Sequence, residues 1–473
     1  MAIARVLIIA AVAGSVALAG CTTAQEASGA DPTASARPAA TSPSPLGVTT
    51  WPGYHATQSR SGAVSAGASL DSATKAWTAD LGGAVFGQPV VAGGRIIAAT
   101  ENNRVVALDP SNGTVLWSVT LGTPLTSVDS KAGCGNIDPL GITSTPVIDT
   151  TAGIVYVVGE ISDGGSTVHH QLEGINIASG SVVFTKNVDP KLPSGEHAVN
   201  LLQRAGLALS KGRVYVSYGG NSGDCGHYHG WVVGVDVKGH AATATFEVAS
   251  NGEGGAIWEA GGAPAANSLG DIYVTTGNAN PDPPQGGPDT KRYTESVVRL
   301  SSTLHVLASF KDTSAGGDAD LGTGNPVLLP HGKVFATGKT DIAFILTQSH
   351  LAKVAAIHNL CGSDPDGGPA YYAATNTMFV PCRSGGIQEV NLTKLKLGPK
   401  LNGANGAPIL IGATVWAAQY PEGTITEFSA TTGAKMQTLD VGTSVPHFAT
   451  PSTAFGLLLI GTDSGVTAFA GAS

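Results

Sequence analysis

The side chains able to do chemistry are densest in Gly223-Asp224-Cys225-Gly226-His227-Tyr228-His229-Gly230-Trp231. His227 and His229 alternate, so in an extended segment they would share one face. Joined by Asp224 or by Glu259 downstream, they have the donor types for a metal site or for acid–base work. The plainer expectation is a loop whose histidines cap backbone carbonyls. His169-His170 and His197 lie in neighbouring segments and add to the metal reading. Glu253 and Glu259 together supply the two carboxylates that glycoside hydrolysis needs. Two acidic stretches, Asp364 with Asp366 and Asp312 with Asp318 and Asp320, lack the ligand set and terminal Glu of a calcium loop and read as solvated turns.

These residues hang on a phrase that recurs about eight times between Gly87 and Phe469. It runs small residue, Pro, apolar residues, a Gly-containing turn, an aromatic or β-branched run, a loop and a second apolar run. Gly87-Gln88-Pro89-Val90-Val91 leads through Gly93-Gly94 to Ile96-Ile97-Ala98, then to Val105-Val106-Ala107-Leu108-Asp109. Ser144-Thr145-Pro146 opens a second copy. Others start at Gly206-Leu207, Ala263-Pro264, Asn325-Pro326, Gly368-Pro369, Ala407-Pro408 and Thr450-Pro451. A period of about 40 to 60 residues with several short strands per unit predicts an all-β fold, an eight-bladed propeller of four-stranded antiparallel blades. The small or polar residues before each Pro fit the crowding of eight inner strands at one axis.

The first blade ends in Gly113-Thr114-Val115-Leu116-Trp117-Ser118-Val119-Thr120-Leu121-Gly122. A near copy, Ala76-Trp77-Thr78-Ala79-Asp80-Leu81-Gly82, precedes the first blade with no strands of its own. It is expected to supply the outer strand of the last blade, joining the ring and removing the edges an open array would expose.

The chain has 473 residues, of which 64 are Gly and only 12% are charged, as many short strands and tight turns require. Its net charge of −9, with no block of Lys or Arg, excludes nucleic acid as an expected partner. Arg5 is followed by an apolar run from Val6 to Ala19, too short for a stable span. It ends in Leu18-Ala19-Gly20-Cys21, which looks like a bacterial lipobox. That likeness implies a signal peptide over residues 1–20, cleavage before Cys21 and lipid on its thiol. The mature protein would then be anchored on the outer face of the cell membrane. Residues 21–48, rich in Ala, Ser, Thr and Pro, read as a disordered tether spanning on the order of 30 Å, and residues 49–473 as one propeller domain.

Outside the cytoplasm cysteines tend to pair. The four beyond Cys21 allow three pairings. Cys134 lies in the loop entering the second blade and Cys225 between the middle strands of the third, loops that emerge on one face of a propeller. Cys361 enters the sixth blade and Cys382 ends its second strand. Cys134–Cys225 and Cys361–Cys382 are therefore expected, and no Cys-x-x-Cys spacing supports a metal instead.

Trp51-Pro52-Gly53-Tyr54 through Arg60-Ser61-Gly62, followed by blades of the type Pro-Val-Val…Val-Val-Ala-Leu-Asp-Pro-x-x-Gly-x-x-x-Trp, resembles the pyrroloquinoline-quinone-type propeller repeat family. That family holds quinoprotein alcohol dehydrogenases and the propeller lipoprotein of the outer-membrane barrel-assembly machinery. The dehydrogenase side of the resemblance implies quinone and calcium in the ring axis, a catalytic Asp, a Trp floor and usually two adjacent cysteines. Trp258 would be the floor, and Asn325 and Glu259 would give calcium oxygens. An apolar plug over a blade end is the plainer expectation for Trp258. The sequence has no adjacent cysteines. The reading that follows is a monomeric binding scaffold with no catalytic residues, a quinone- and calcium-dependent dehydrogenase being the alternative. The loops Gly159 to Gln171, Gly219 to Gly230 and Gly277 to Glu295 are long, and long loops on rigid scaffolds are where binding concentrates. An envelope protein or polymer is expected to dock at Asp224, His227, Tyr228, His229, Trp258, Glu259 and Asn325.

Overall fold

A computed structural model describes residues 47–65, 70–280 and 292–472. The signal segment, Cys21, nearly all of the tether and most of the Gly277–Glu295 segment lie outside the described residues. Residues 45–473 form one compact unit.

Each copy of the repeat is an antiparallel four-stranded blade. The first comprises Val90–Ala92, Arg95–Ala99, Arg104–Leu108 and Val115–Thr120, paired in order with Val90 opposite Ile97 and Val106 opposite Ser118. Seven more follow, with inner strands at Val147–Asp149, Ala208–Ser210, Ala265–Ala266, Val327–Leu329, Ala370–Tyr372, Ile409–Ile411 and Ser452–Ala454. Thr74–Asp80 pairs with Gly465–Ala470 and completes the eighth blade, so the expected closure of the ring is present. The Gly159–Gln171 segment is not a loop: Ile154–Gly164 and Thr167–Asn176 run on as one long hairpin.

The core lies between blades. Residues from the second and third strands of adjoining blades interdigitate, as where Val105 and Ala107 meet Val155, Val157 and Ile175. Those strands are covered on both faces, which is why they read as unbroken apolar runs. Outer strands such as Val115–Thr120 are largely exposed.

The repeat's Gly and Trp are partners across blades. Trp77 in the closing strand donates Nε1–H to the Pro110 carbonyl at 3.0 Å, and Trp117 does the same to Ile177 in the next blade at 2.8 Å. A Cβ on Gly113 would stand 2.5 Å from the Trp77 ring, and one on Gly180 2.8 Å from Trp117. Both glycines have positive φ, so turn geometry and ring contact exclude a side chain together. Both expected disulfides are present, Cys134–Cys225 stapling the loops of adjacent blades and Cys361–Cys382 closing a local loop.

Candidate functional site

The axis is sealed at one end by the chain itself. Residues 48–64 wind past the exit ends of all eight inner strands and bond to each in turn. The carbonyl of Val48 accepts from Phe455, Trp51 pairs with Val91 in both directions, and Pro52 accepts from Ile148. The Gln58 amide donates to Leu209 at 2.9 Å, and its carbonyl accepts from Ala266. Ser59, Ser61 and Gly62 accept from Leu328, Tyr371 and Leu410. The inner edges, which would otherwise present unpaired N–H groups, are thereby satisfied.

This plug carries Trp51, Tyr54, His55 and Arg60 into the axis, all buried. Arg60 donates Nη1–H to Tyr54 O and Nε–H to Pro264 O, both at 2.9 Å. Burial pushes its guanidinium down to about 10 and the His55 imidazole down to about 3, so His55 is neutral at physiological pH. The residues before each Pro are buried as crowding requires, and Gln88 binds Trp51, His55 and Pro451 together.

The other end opens into a cavity of about 530 Å³. Its collar is set by the repeat. The third residue before the Pro, or before Leu207 in the copy that lacks Pro, is in chain order Phe86, Thr143, Arg204, Gly261, Thr323, Asp366, Asn405 and Phe448. Phe86, Arg204, Thr323, Asp366 and Phe448 all line the cavity, with Trp258, Asp320, Lys339 and His447 beside them.

Arg204 lies between two rings, its guanidinium carbon 5.4 Å from Phe86 and 5.1 Å from Phe448. It donates Nη2–H to His447 O at 3.0 Å and approaches Thr143 O at 3.4 Å. A Cβ on Gly261 would stand 3.0 Å from Arg204 Nη1, so the glycine in the collar is what admits this side chain. Burial lowers the guanidinium to about 10, and the charges of Glu101, Tyr54 and Asp366 oppose that fall. Glu101 in turn is pushed up to about 7 by burial, although Gly141 N–H and the Thr143 hydroxyl both bind it. Asp366 is also buried, with Oδ2 accepting from His447 Nε2 at 3.1 Å and from the Tyr420 hydroxyl at 3.3 Å. Lys339 is held by Asp318 and Asp320 at 2.7 and 2.9 Å, 5.9 Å from the Trp258 ring.

Several expected site residues are placed elsewhere. Trp258 and Asp224 do line the cavity, and His227 is exposed. Tyr228, His229, Glu259 and Asn325 are buried and have no surface to offer a docking partner. His227 and His229 do not share an environment: the His227 side chain is 65% exposed and that of His229 only 7%. Only His229 bonds a backbone carbonyl, that of Gly252, and it also lies between Glu196 and Glu247, while His227 Nδ1 pairs with Glu253 at 2.6 Å. His170 pairs with Asp189 at 2.8 Å and His169 with Asp163 at 3.0 Å. Histidines held by their own carboxylates make no common centre, and no group of His, Cys, Asp and Glu that could hold a metal forms among the described residues. Glu253 sits partly exposed in the short strand Glu253–Gly254 and Glu259 in the interior, so they do not flank one cleft. The acidic stretches are solvated turns only in part: Asp318 is exposed and Asp364 half-buried at the cavity, whereas Asp312, Asp320 and Asp366 are buried.

The quinone–calcium set implied by the resemblance does not fit. Glu259 and Asn325 both lack a hydrogen-bond partner on one oxygen, Oε2 and Oδ1, yet no further carboxylate joins them. The cavity wall carries Asp224, Asp318, Asp320, Asp364 and Asp366 against Arg204, Lys339 and Arg383, an acidic excess that disfavours a polycarboxylate quinone. A second hollow of about 640 Å³, at the sealed end beside Ser59, Leu328 and Tyr371, has no charged side chain in its lining.

Several buried groups bind protons more readily folded than unfolded, three of them by the largest margins that bear on pH 7 to 9. Burial pushes Glu259 from 4.5 to about 8 and, with Asp320 adding to it, Glu295 from 4.5 to about 9. Burial opposes the charge on His170, but bonds to Asp189 and Glu160 outweigh it and lift the imidazole from 6.5 to about 9. Stability from each is fully present below the unfolded value and is lost as pH climbs through the folded one. The opposite contribution of His55 is confined to the range below 6.5. Thermal unfolding is therefore expected at falling temperature from pH 7 to 9, with a shallower fall in Glu259→Gln. A flat or rising profile would contradict the assignment.

Residues 60–281 match the family model described as outer membrane protein assembly factor BamB. No curated protein matches the chain. Among solved structures it is similar to a quinohemoprotein alcohol dehydrogenase from Comamonas testosteroni, at 15% identity and TM-score 0.69, over 90% of this chain and 81% of that one. A europium-containing methanol dehydrogenase aligns at 12% identity and TM-score 0.67, over 88% and 90% of the two chains. BamB from Moraxella catarrhalis aligns at 11% identity and TM-score 0.56, over 84% and 99%. At such identities these structures share the fold and nothing finer.

Proposed function

We propose that this pyrroloquinoline-quinone-type propeller, matched to the family model over residues 60–281, acts by binding at the cell envelope rather than by chemistry. The observation that supports this reading is the inequality of the two ends of the axis. Residues 48–64 seal one, and the other opens into a collared cavity with Trp258, Phe86 and Phe448 in its wall. A concave site with aromatic walls and a few convergent polar groups is the usual form of a ligand or partner site. The dehydrogenase reading loses support from the incomplete calcium set and the acidic wall. The anchor is Cys21, behind Leu18-Ala19-Gly20, so that the propeller is held at the outer face of the cell membrane.

Two measurements test this. Cys21→Ser is expected to move the protein from the membrane fraction to the soluble or secreted one, and unchanged retention would remove the anchor from the proposal. Photo-crosslinkers placed at Asp318, whose side chain is 78% exposed at the cavity mouth, and at Val183 on an outer strand should differ. Adducts at the first position, lost in Trp258→Ala, are expected. Adducts confined to Val183 would place the binding surface elsewhere.

A further inference from the structure

Two opposite charges stand in the collar without meeting. Arg204 and Asp366 are 4% exposed each, both line the cavity, and no ion pair joins them. Among the described residues Arg204 makes no ion pair with a carboxylate, and its polar partners are the carbonyls of Thr143 and His447. Asp366 has no Lys or Arg partner; His447 and Tyr420 bind the same oxygen, Oδ2. Buried charges are costly unless paired. Burial lowers Arg204 only to about 10, so its guanidinium is charged at neutral pH, and Asp366 acts on it only through space.

We propose, building on the reading of the open mouth as the binding end, that the cavity takes a small zwitterion of amino-acid or dipeptide type. Its carboxylate pairs with Arg204 and its protonated amine with Asp366. The planar guanidinium is fixed between Phe86 and Phe448, which orients its free N–H edge before a ligand arrives and favours carboxylate recognition. The Asp366 carboxylate is fixed likewise by two donors on Oδ2. The remaining wall acids, Asp224, Asp318, Asp320 and Asp364, outnumber Lys339 and Arg383 and discriminate against ligands with further carboxylates. A cavity of about 530 Å³ accommodates a dipeptide and excludes a folded domain.

The test is calorimetric titration of the full chain with alanyl-alanine, its methyl ester and its N-acetyl derivative. The zwitterion should bind at least tenfold tighter than either blocked form, since each removes one buried charge pair. In Asp366→Asn the preference over the N-acetyl form should disappear while the preference over the ester persists. Equal affinity for the three probes in the wild type, or no binding by any of them, overturns the ligand class, and this result needs no variant to fold. If crosslinking at Asp318 persists alongside such a failure, the open mouth remains the binding end and only the zwitterion is wrong. Loss of both fails the site itself.

Discussion

Arg60→Met is expected to destabilise the propeller by about 2–5 kcal/mol. The methionine fills much of the same space but leaves the carbonyls of Tyr54 and Pro264 buried without their donors. Those two bonds tie the plug to itself and to the fourth blade. The more distant contacts, to Thr57 O at 3.4 Å and Leu207 O at 3.5 Å, add little. Loss of the Coulombic link to Glu259 costs less, because burial already keeps that carboxyl largely protonated at neutral pH. Arg60→Lys should recover only part, since one ammonium cannot reach both carbonyls along the fork of a guanidinium. The check is the urea midpoint at unchanged slope. A variant as stable as the wild type would mean that the plug is not fastened through this residue.

Removing the first disulfide should cost a similar amount by a different route. Cys134 and Cys225 are 91 residues apart, so their bond restricts the unfolded chain by roughly 4–5 kcal/mol on loop entropy. The Cys361–Cys382 bond closes a span of 21 and is expected to contribute about 3 kcal/mol. The double variant Cys134→Ala, Cys225→Ala should therefore unfold at lower urea than Cys361→Ala, Cys382→Ala. The reverse order would show that local packing, not chain entropy, governs the two staples. Cys134–Cys225 also braces the loop that carries Asp224, so its loss should loosen that side of the cavity mouth.

What the sequence determined by itself was everything that repeats. A small-Pro-apolar phrase every 40 to 60 residues, roughly, compels several short strands per unit and a closed ring. The stray copy of an outer strand at Ala76–Gly82 could pair only with the incomplete last blade, and it does. Cysteine placement relative to the strands was enough to pair Cys134 with Cys225, because blade phase decides on which face a loop emerges.

The tertiary structure decided what varies against that repeat. The collar was present as a phase, the third residue before each Pro, but attention to the residue immediately before Pro leads to Gln88 and Asn325, which are buried among inner strands. Nothing local says that Arg204 will stand between Phe86 and Phe448, since these residues come from blades far apart in the chain and only the closed ring brings them together. The plug was equally hidden: residues 48–62 show no strand pattern because their bonds go to eight separate edges, and only Ala63–Val64 pair with one neighbour as a strand. The same logic misplaced Tyr228, His229 and Glu259, whose clustering in sequence suggested a surface. Local spacing fixes which way a strand's side chains alternate, but whether a loop residue meets solvent depends on what the neighbouring blades lay over it, and that is settled only when the ring closes.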